Sequence, residues 1–339
     1  MSLNLLFRIQ PTVVFFIAPP AYGKTYKLIR LIEESSSDEI FIYVSPLRAL
    51  ADEFSEKFRI DFKLKNIRSF KEQRSKDKVF TKVYVITPEL IDNNFLLMFS
   101  NVSTRFILDE FHLFSEWGKS FRPQMWDLIV DLLSHSFSLL LLSATLDQKL
   151  LDDFTSMVKH SSEYELFKLD LGNYQLKYRP EKIFHYSNCF QRFMLENIEY
   201  ELYKKKKILV FCKYRNEVKS LEKKLSLKWR VLTCVGGKTV EFVNNLKKYE
   251  PDVIISTVAL SHGVNLPRID TVFINYEVKQ KNMLLQMIAR GGREGNQYSI
   301  HIMDDFYLKC ENLISLIIYL IKVRVLNPFY NLKFKIQPS

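Results

Sequence analysis

Two short runs of residues carry groups suited to phosphate chemistry. Ala18, Pro19, Pro20, Ala21, Tyr22, Gly23, Lys24 and Thr25 end in Gly-Lys-Thr, and Asp109-Glu110-Phe111-His112 follows further along. A loop that opens a helix offers backbone N–H groups to phosphate oxygens. Lys24 would reach the β- and γ-phosphates, and the Thr25 hydroxyl would bind Mg²⁺. Asp109 would hold the same ion, while Glu110 would orient and deprotonate an attacking water. The expected cofactors are therefore ATP and Mg²⁺. A lone Asp-Glu pair would read as two solvated acids, but behind a matched phosphate loop it reads as part of one engine.

Both runs need particular elements to position them. Pro11–Ile17 is apolar and rich in β-branched and aromatic residues, which predicts a buried strand before the loop. Thr25–Glu34 has helical spacing after it. Thr104–Leu108 predicts a strand ending at Asp109, where carboxylates would stand at the ligand-binding edge of a parallel sheet. Ala18 replaces the usual first glycine, and Tyr22 stands where small residues are common. Gly237-Lys238-Thr239 repeats the tripeptide without a loop of the right length before it, and reads as a strand-to-helix turn.

The strand set continues with Ile40–Val44, Lys82–Thr87, Ser138–Leu142 and Tyr164–Leu169. A second set comprises Lys182–Tyr186, Lys207–Cys212, Arg230–Cys234, Val253–Thr257, Thr271–Asn275 and Tyr298–Met303. Strands alternating with helical stretches predict parallel sheets covered on both faces. At about 150 residues per domain, a chain of this length predicts two domains. The expected division is 1–173, a linker at 174–180, a second domain at 181–304 and a helical extension at 305–339.

The 339 residues carry 49 basic and 38 acidic side chains, a net charge of +11 that favours a polyanionic partner. Cys189, Cys212, Cys234 and Cys310 are scattered, so buried thiols in a reducing compartment are expected and a zinc site is not. No signal peptide is expected, because Arg8, Gln10 and Pro11 interrupt the apolar start. The longest apolar run, Leu313–Ile321, is far short of the ~18 residues of a membrane span. The expected location is cytoplasmic (prokaryotic or viral) or nuclear, and not secreted.

Further motifs lie between and behind the first two. Val44-Ser45-Pro46-Leu47-Arg48-Ala49-Leu50, Thr87-Pro88-Glu89-Leu90, Ser143-Ala144-Thr145, Ile208–Tyr214 with Arg215, Ser256–Pro267 and Gln286–Arg293 occur in order. With them the chain resembles the superfamily-two DExH-box helicases from Ala18 to Gly295. Pro46–Leu50 and Gly263–Pro267 are similar to Ski-like and archaeal repair-type members. Asp109–Pro123, with Trp117, Gly118, Phe121, Arg122 and Pro123, is similar to RecQ, where an aromatic-rich loop follows the box. Ala289 departs from the usual glycine of the last motif.

The resemblance implies an α/β fold of two tandem RecA-like (P-loop) domains with an ATP cleft between them. It implies that Arg290 and Arg293, three apart and on one face if helical, reach the γ-phosphate, with Gln286 in the nucleotide or water network. His112, Ser143 and Thr145 would couple the ATP site to the nucleic-acid groove. Pro46, Arg48, Thr87, Glu89 and Thr257 would contact the backbone, while Trp117, Phe121 and Arg122 would meet bases or phosphates. Gln10 is the candidate for an adenine contact. Arg59–Lys82, strongly basic, is either a duplex contact or a solvated surface.

The activity implied is a 3′–5′ motor on single-stranded or partly duplex DNA. An RNA helicase of Ski-like type is the first alternative. A motor subunit that does not unwind, working in a larger repair, recombination or defence complex, is the second. Tyr307–Arg324 is expected to pack as an apolar helix, with a protein-docking surface as its alternative reading.

Overall fold

The computed structural model describes residues 11–58, 64–66, 82–160, 164–186, 191–261 and 264–303. Gln10, most of Arg59–Lys82, Cys189, His262, Gly263, Cys310 and the 305–339 extension lie outside the described residues. The chain divides into two compact units, Met1–Lys177 and Tyr178–Ser339.

In the first unit the order is β1 (Thr12–Ile17), α1 (Lys24–Glu33), β2 (Ile40–Val44), α2 (Arg48–Phe58), β3 (Leu64–Asn66) and β4 (Val83–Ile86). It continues through α3 (Asn93–Phe99), β5 (Thr104–Leu108), α4 (Phe111–Gly118), α5 (Gln124–Ser134), β6 (Ser138–Ser143), α6 (Gln148–His160) and β7 (Glu165–Asp170). The strands form a seven-stranded sheet, β3-β4-β2-β5-β6-β1-β7. Every pairing in it is parallel.

Alternation along β1 feeds two cores. Val13, Phe15 and Ile17 join one apolar cluster, and Val14 and Phe16 join the other. Burial on both faces is why these strands read as continuous apolar runs rather than as alternating ones. Phe15, Phe111 and Phe154 meet edge to face, with centroids 5.3–5.9 Å apart. That triangle seats the start of α4, and with it the two acids.

Register then levels the strand ends. Ile17 is opposite Ser143, and Val44 is opposite both Leu108 and Ile86. Ala18, Ser45, Thr87 and Asp109 each follow such a residue, so their motifs leave the sheet along one edge. The segment directly after the acids, through Gly118, is the helix α4, because Phe111 and Phe114 are both fully buried at helical spacing, and Lys119–Pro123 forms the irregular link to α5.

The second unit runs β8 (Lys182–Tyr186), α7 (Gln191–Tyr203), β9 (Ile208–Phe211), α8 (Arg215–Leu225), β10 (Val231–Cys234), α9 (Thr239–Leu246), β11 (Val253–Ser256), β12 (Thr271–Ile274), α10 (Lys281–Ile288) and β13 (Ser299–Met303). Its six-stranded parallel sheet is ordered β10-β11-β9-β12-β13-β8. Gly237-Lys238-Thr239 forms the turn from β10 into α9. His301 is buried beside Phe273 and Phe184, its Nδ1 2.8 Å from the Tyr186 hydroxyl. Burial pushes its pKa down to about 3, so it is a neutral core residue. Cys212 and Cys234 are buried thiols, pushed up by burial to about 12 and about 11. Among the described residues no helix is long and apolar enough to cross a membrane.

Asp252 ties strand starts in this unit together. It accepts from Arg230 Nη2 at 2.9 Å and from the Arg230 backbone N–H at 3.1 Å, and Lys207 Nζ donates to it at 3.2 Å. Hydrogen bonding from Arg230 holds its carboxyl down at about 2. A depressed carboxylate stabilises the fold above the unfolded pKa near 4, and that stability is lost as pH falls through the folded value. Asp252→Asn should therefore unfold at lower urea than wild type at pH 7. The gap should narrow as pH is lowered toward about 2; a gap independent of pH would mean that its cause is not the carboxylate charge.

Candidate nucleotide site and its surroundings

The loop from Ala18 to Gly23 begins where β1 ends, and the Ala18 N–H donates to the Ser143 carbonyl at 3.0 Å. Ala21 and Gly23 adopt left-handed conformations, with φ of 60° and 90°. Gly23 precedes α1 and no side chain caps that helix, which leaves its first N–H groups to an anion. Lys24 Nζ rests 3.0 Å from the Ala18 carbonyl. Thr25 is exposed on the first turn. Tyr22 is half-buried against the α1 side of the core, with Lys27 Nζ 5.6 Å from its ring centre. It thus braces the loop from beneath.

Asp109 and Glu110 stand at the end of β5. Asp109 Oδ1 accepts the Glu110 N–H at 3.0 Å, and Oδ2 accepts the Tyr43 hydroxyl. Burial, then the neighbouring Glu110 charge, pushes the Asp109 carboxyl up to about 6, against the pull of Tyr43 and Lys24. Glu110 is itself left-handed, with φ 48°. Its Oε2 is buried without a hydrogen-bond partner. Two adjacent acids, one raised and one with an orphaned oxygen, are the donor set of a hard divalent cation. Among the described residues no group of three or more His, Cys, Asp or Glu could hold a metal alone. Mg²⁺ typically takes one or two carboxylates together with substrate phosphates, which the Asp109 and Glu110 oxygens would suit. Sequence reading missed Tyr43, which stacks on Phe54 at 3.7 Å and anchors Asp109 from β2. Its place on the strand before Ser45-Pro46 was the available signal.

His112 is buried, and its Nδ1 lies 3.0 Å from Ser143 Oγ and 3.6 Å from Glu110 Oε2. Burial, with Lys24 adding to it, pushes its pKa down to about 3. The ring is neutral. Ser143 Oγ donates to the Thr145 carbonyl and accepts the Thr145 N–H at 3.2 Å. With its own proton given to Thr145, Ser143 accepts from His112 Nδ1–H. The three expected coupling residues therefore form one hydrogen-bonded chain, His112–Ser143–Thr145, which begins 3.6 Å from Glu110 Oε2.

The expected nucleic-acid residues differ in exposure. Arg48 and Phe121 are exposed, Phe121 at 66%. Pro46 and Thr87 are buried. Trp117 is half-buried against the core, its ring 5.5 Å from that of Phe121. Glu89 and Arg122 bind each other. Arg122 also donates to the Pro46 carbonyl at 2.6 Å and lies 5.4 Å from the Trp117 ring centre. Partial burial opposes the ionisation of Glu89, but Arg122 still holds its carboxyl below the usual range. These two side chains clasp the α4–α5 corner to the Pro46 loop and the Pro88–Leu90 turn.

In the second unit α10 ends at Ile288, so Arg290 and Arg293 lie in the turns beyond it rather than on one helical face. Arg290 is 2% exposed and donates to the carbonyls of Ser261 and Val264. It thereby staples two motifs of its own unit together. Arg293 is half-buried, with Nε 3.2 Å from the Ala289 carbonyl. Gln286 is buried on α10. Thr257 is buried at the end of β11, its N–H donating to Cys234 at 3.1 Å.

Comparison with known proteins accords with this geometry. Residues 5–154 match the DEAD/DEAH box helicase family, and residues 191–295 match the helicase conserved C-terminal domain. A RecQ-like DNA helicase, BLM of Xenopus laevis, is 23% identical over 311 residues. That match takes in 83% of this chain and 22% of that protein, so the chain spans under a quarter of its relative's length. Among solved structures, DEAD-box helicase Mss116 bound to ssRNA and UDP-BeF aligns with TM-score 0.70 and 17% identity over 100% of this chain and 74% of that one. S. cerevisiae Dbp5 bound to RNA and ADP BeF3 gives 0.64 and 17%, over 94% and 84%. Mycobacterium smegmatis helicase Lhr bound to ssDNA and AMP-PNP gives 0.61 and 15%, over 95% and 47%. The two sheets are those of tandem RecA-like domains.

Two expected outcomes test the site. Mg²⁺ with a nucleoside triphosphate should raise the melting temperature of the wild type, and the rise should shrink in Lys24→Ala and Asp109→Asn. Equal rises in all three would place the nucleotide elsewhere. Arg290→Met should cost about 2–4 kcal/mol of stability, since it leaves two buried carbonyls without their donor. Arg293→Ala should leave the melting temperature near that of wild type, and chemical denaturation compares the two.

Proposed function

With the chain carrying a superfamily-two helicase core, and so the frame of an ATP-dependent nucleic-acid motor, we propose that it is a DExH-type 3′–5′ translocase on single-stranded DNA. The observation that carries the reading is the acid pair under the influence of Lys24, with an orphaned Glu110 oxygen and a neutral histidine behind it.

Each residue has a role in this reading. The loop N–H groups and Lys24 bind the β- and γ-phosphates. Thr25 and Asp109 would hold Mg²⁺, which when bound would offset charge on the phosphate oxygens. Tyr43 fixes the Asp109 carboxylate. Glu110 has an acceptor oxygen ready for a water proton, and its left-handed backbone sets the direction of that oxygen. His112 and Ser143 report the state of Glu110 to the turn after β6.

DNA is preferred because the Trp117–Phe121 pair, with Phe121 exposed, supports a stacking platform of the kind expected from the RecQ-like stretch. The match to a RecQ-like DNA helicase supports the same choice.

Steady-state ATP hydrolysis tests the proposal, with single-stranded DNA, with RNA of the same sequence, and with neither. DNA should stimulate turnover more than RNA does. Glu110→Gln should keep ATP binding and lose roughly a hundredfold or more in turnover, as expected for removal of a general base. Stimulation by RNA alone would move the chain to the RNA helicases. A folded protein that hydrolyses nothing under any condition would sink the motor reading for the isolated chain.

A further inference from the structure

We propose that Asp170–Lys177 is a relay strap that reads the phosphate loop and the Ser143-Ala144-Thr145 turn and passes their state to the chain entering the second unit at Tyr178. Asn173 is its positioning residue. The proposal rests on the nucleotide-site reading above and adds an output path to it.

The strap begins where β7 ends, beside β1. The Leu171 N–H donates to the Ile17 carbonyl at 2.8 Å, which continues the strand pairing one step beyond the sheet. The chain then turns. Asp170 Oδ1 accepts the N–H groups of Gly172 and Asn173 at 3.1 and 2.9 Å. Gly172 has φ +132°, and a Cβ there would sit 3.0 Å from Pro19 Cγ in the phosphate loop. Only glycine combines that backbone with so close an approach.

Asn173 then closes on the other motif with both ends of its amide. Its Oδ1 accepts the Leu146 N–H at 2.8 Å, and its Nδ2 donates to the Leu146 carbonyl at 2.8 Å. Leu146 is buried and directly follows Thr145. An asparagine amide has one acceptor and one donor side, so this two-point bond to a single residue also fixes its orientation. Four residues on, Lys177 Nζ donates to the Ala21 carbonyl at 3.2 Å. Ala21 is the strained, left-handed residue of the phosphate loop.

One short segment thus touches the phosphate loop at Pro19 and Ala21 and the coupling turn at Leu146, and it is the last segment of the first unit. Phosphate binding must draw on the N–H groups of the loop that carries Ala21. Any shift of that loop or of the Ser143-Ala144-Thr145 turn loads the strap, because its bonds reach both. Sequence reading treated 174–180 as a bare linker, and the side chains just before and within it change that.

The test is hydrogen exchange on the whole chain, with and without Mg²⁺ and a non-hydrolysable ATP analogue, in wild type, Asn173→Ala and Asn173→Asp. Asp keeps the acceptor and loses the donor, placing its second oxygen against the Leu146 carbonyl. In wild type, nucleotide should change exchange across 171–177. Both variants should lose most of that change while binding the analogue with affinity within about twofold of wild type and melting within a few degrees of it. Stimulation of ATP hydrolysis by a single strand should fall roughly fivefold or more, with unstimulated turnover and KM for ATP preserved.

Wild-type exchange across 171–177 that ignores bound nucleotide overturns the strap. So does unchanged stimulation in variants whose Leu146 amide has lost protection. Parallel loss of stability, binding and both rates makes Asn173 structural only, and overturns the relay. Absence of stimulation in wild type counts against the motor reading alone, because the exchange experiment still decides the strap.

Discussion

The level register of the parallel strands is the constraint on which the candidate site depends. A parallel sheet buried on both faces sends its connections out at the strand ends, and only one edge receives the C-terminal ends. Because Ile17 is opposite Ser143, and Val44 is opposite Leu108 and Ile86, four motifs distant in sequence begin along that edge. The pairing of β1 with β6 also joins the first residue of the phosphate loop to Ser143 by a backbone hydrogen bond. A slip of one residue in that pairing would turn β1 inside out and break the loop's footing.

On that edge, burial sets the protonation states. Phe111 sits in an aromatic triangle, and the residue before it takes the left-handed conformation that aims Glu110. Asp109 and Glu110 repel each other with little solvent to screen them, so the pair favours a cation. His112, equally buried, goes the other way and stays neutral. A neutral imidazole can donate to Ser143 without adding charge beside the two carboxylates. Thus the same desolvation raises one group and lowers its neighbour, which produces two chemically distinct roles within four residues.

Arginine and asparagine side chains hold the edge together. Arg122 joins Glu89, the Pro46 carbonyl and the face of Trp117. Arg290 joins the Ser261 and Val264 carbonyls inside the second unit. Asn173 holds both backbone groups of Leu146. In each case a side chain with several donors or a paired donor and acceptor satisfies backbone groups that irregular loops leave open. Loops that carry function are thereby fixed without regular secondary structure.

The two-unit α/β design, nearly all of the strands and the residues of the phosphate loop and acid pair were legible in the sequence. Continuous apolar runs can bury both faces, and Gly-Lys-Thr after a strand is a local pattern with a local cause. Partners remote in sequence were not legible. Tyr43 meets Asp109, Asn173 meets Leu146, and Arg122 meets Glu89 only because the strand order β4-β2-β5-β6-β1-β7 brings their loops side by side. For the same reason the pattern around Arg290 did not show that its side chain staples its own unit. Residue type states what a side chain can bond, and the tertiary structure decides which bonds are already made.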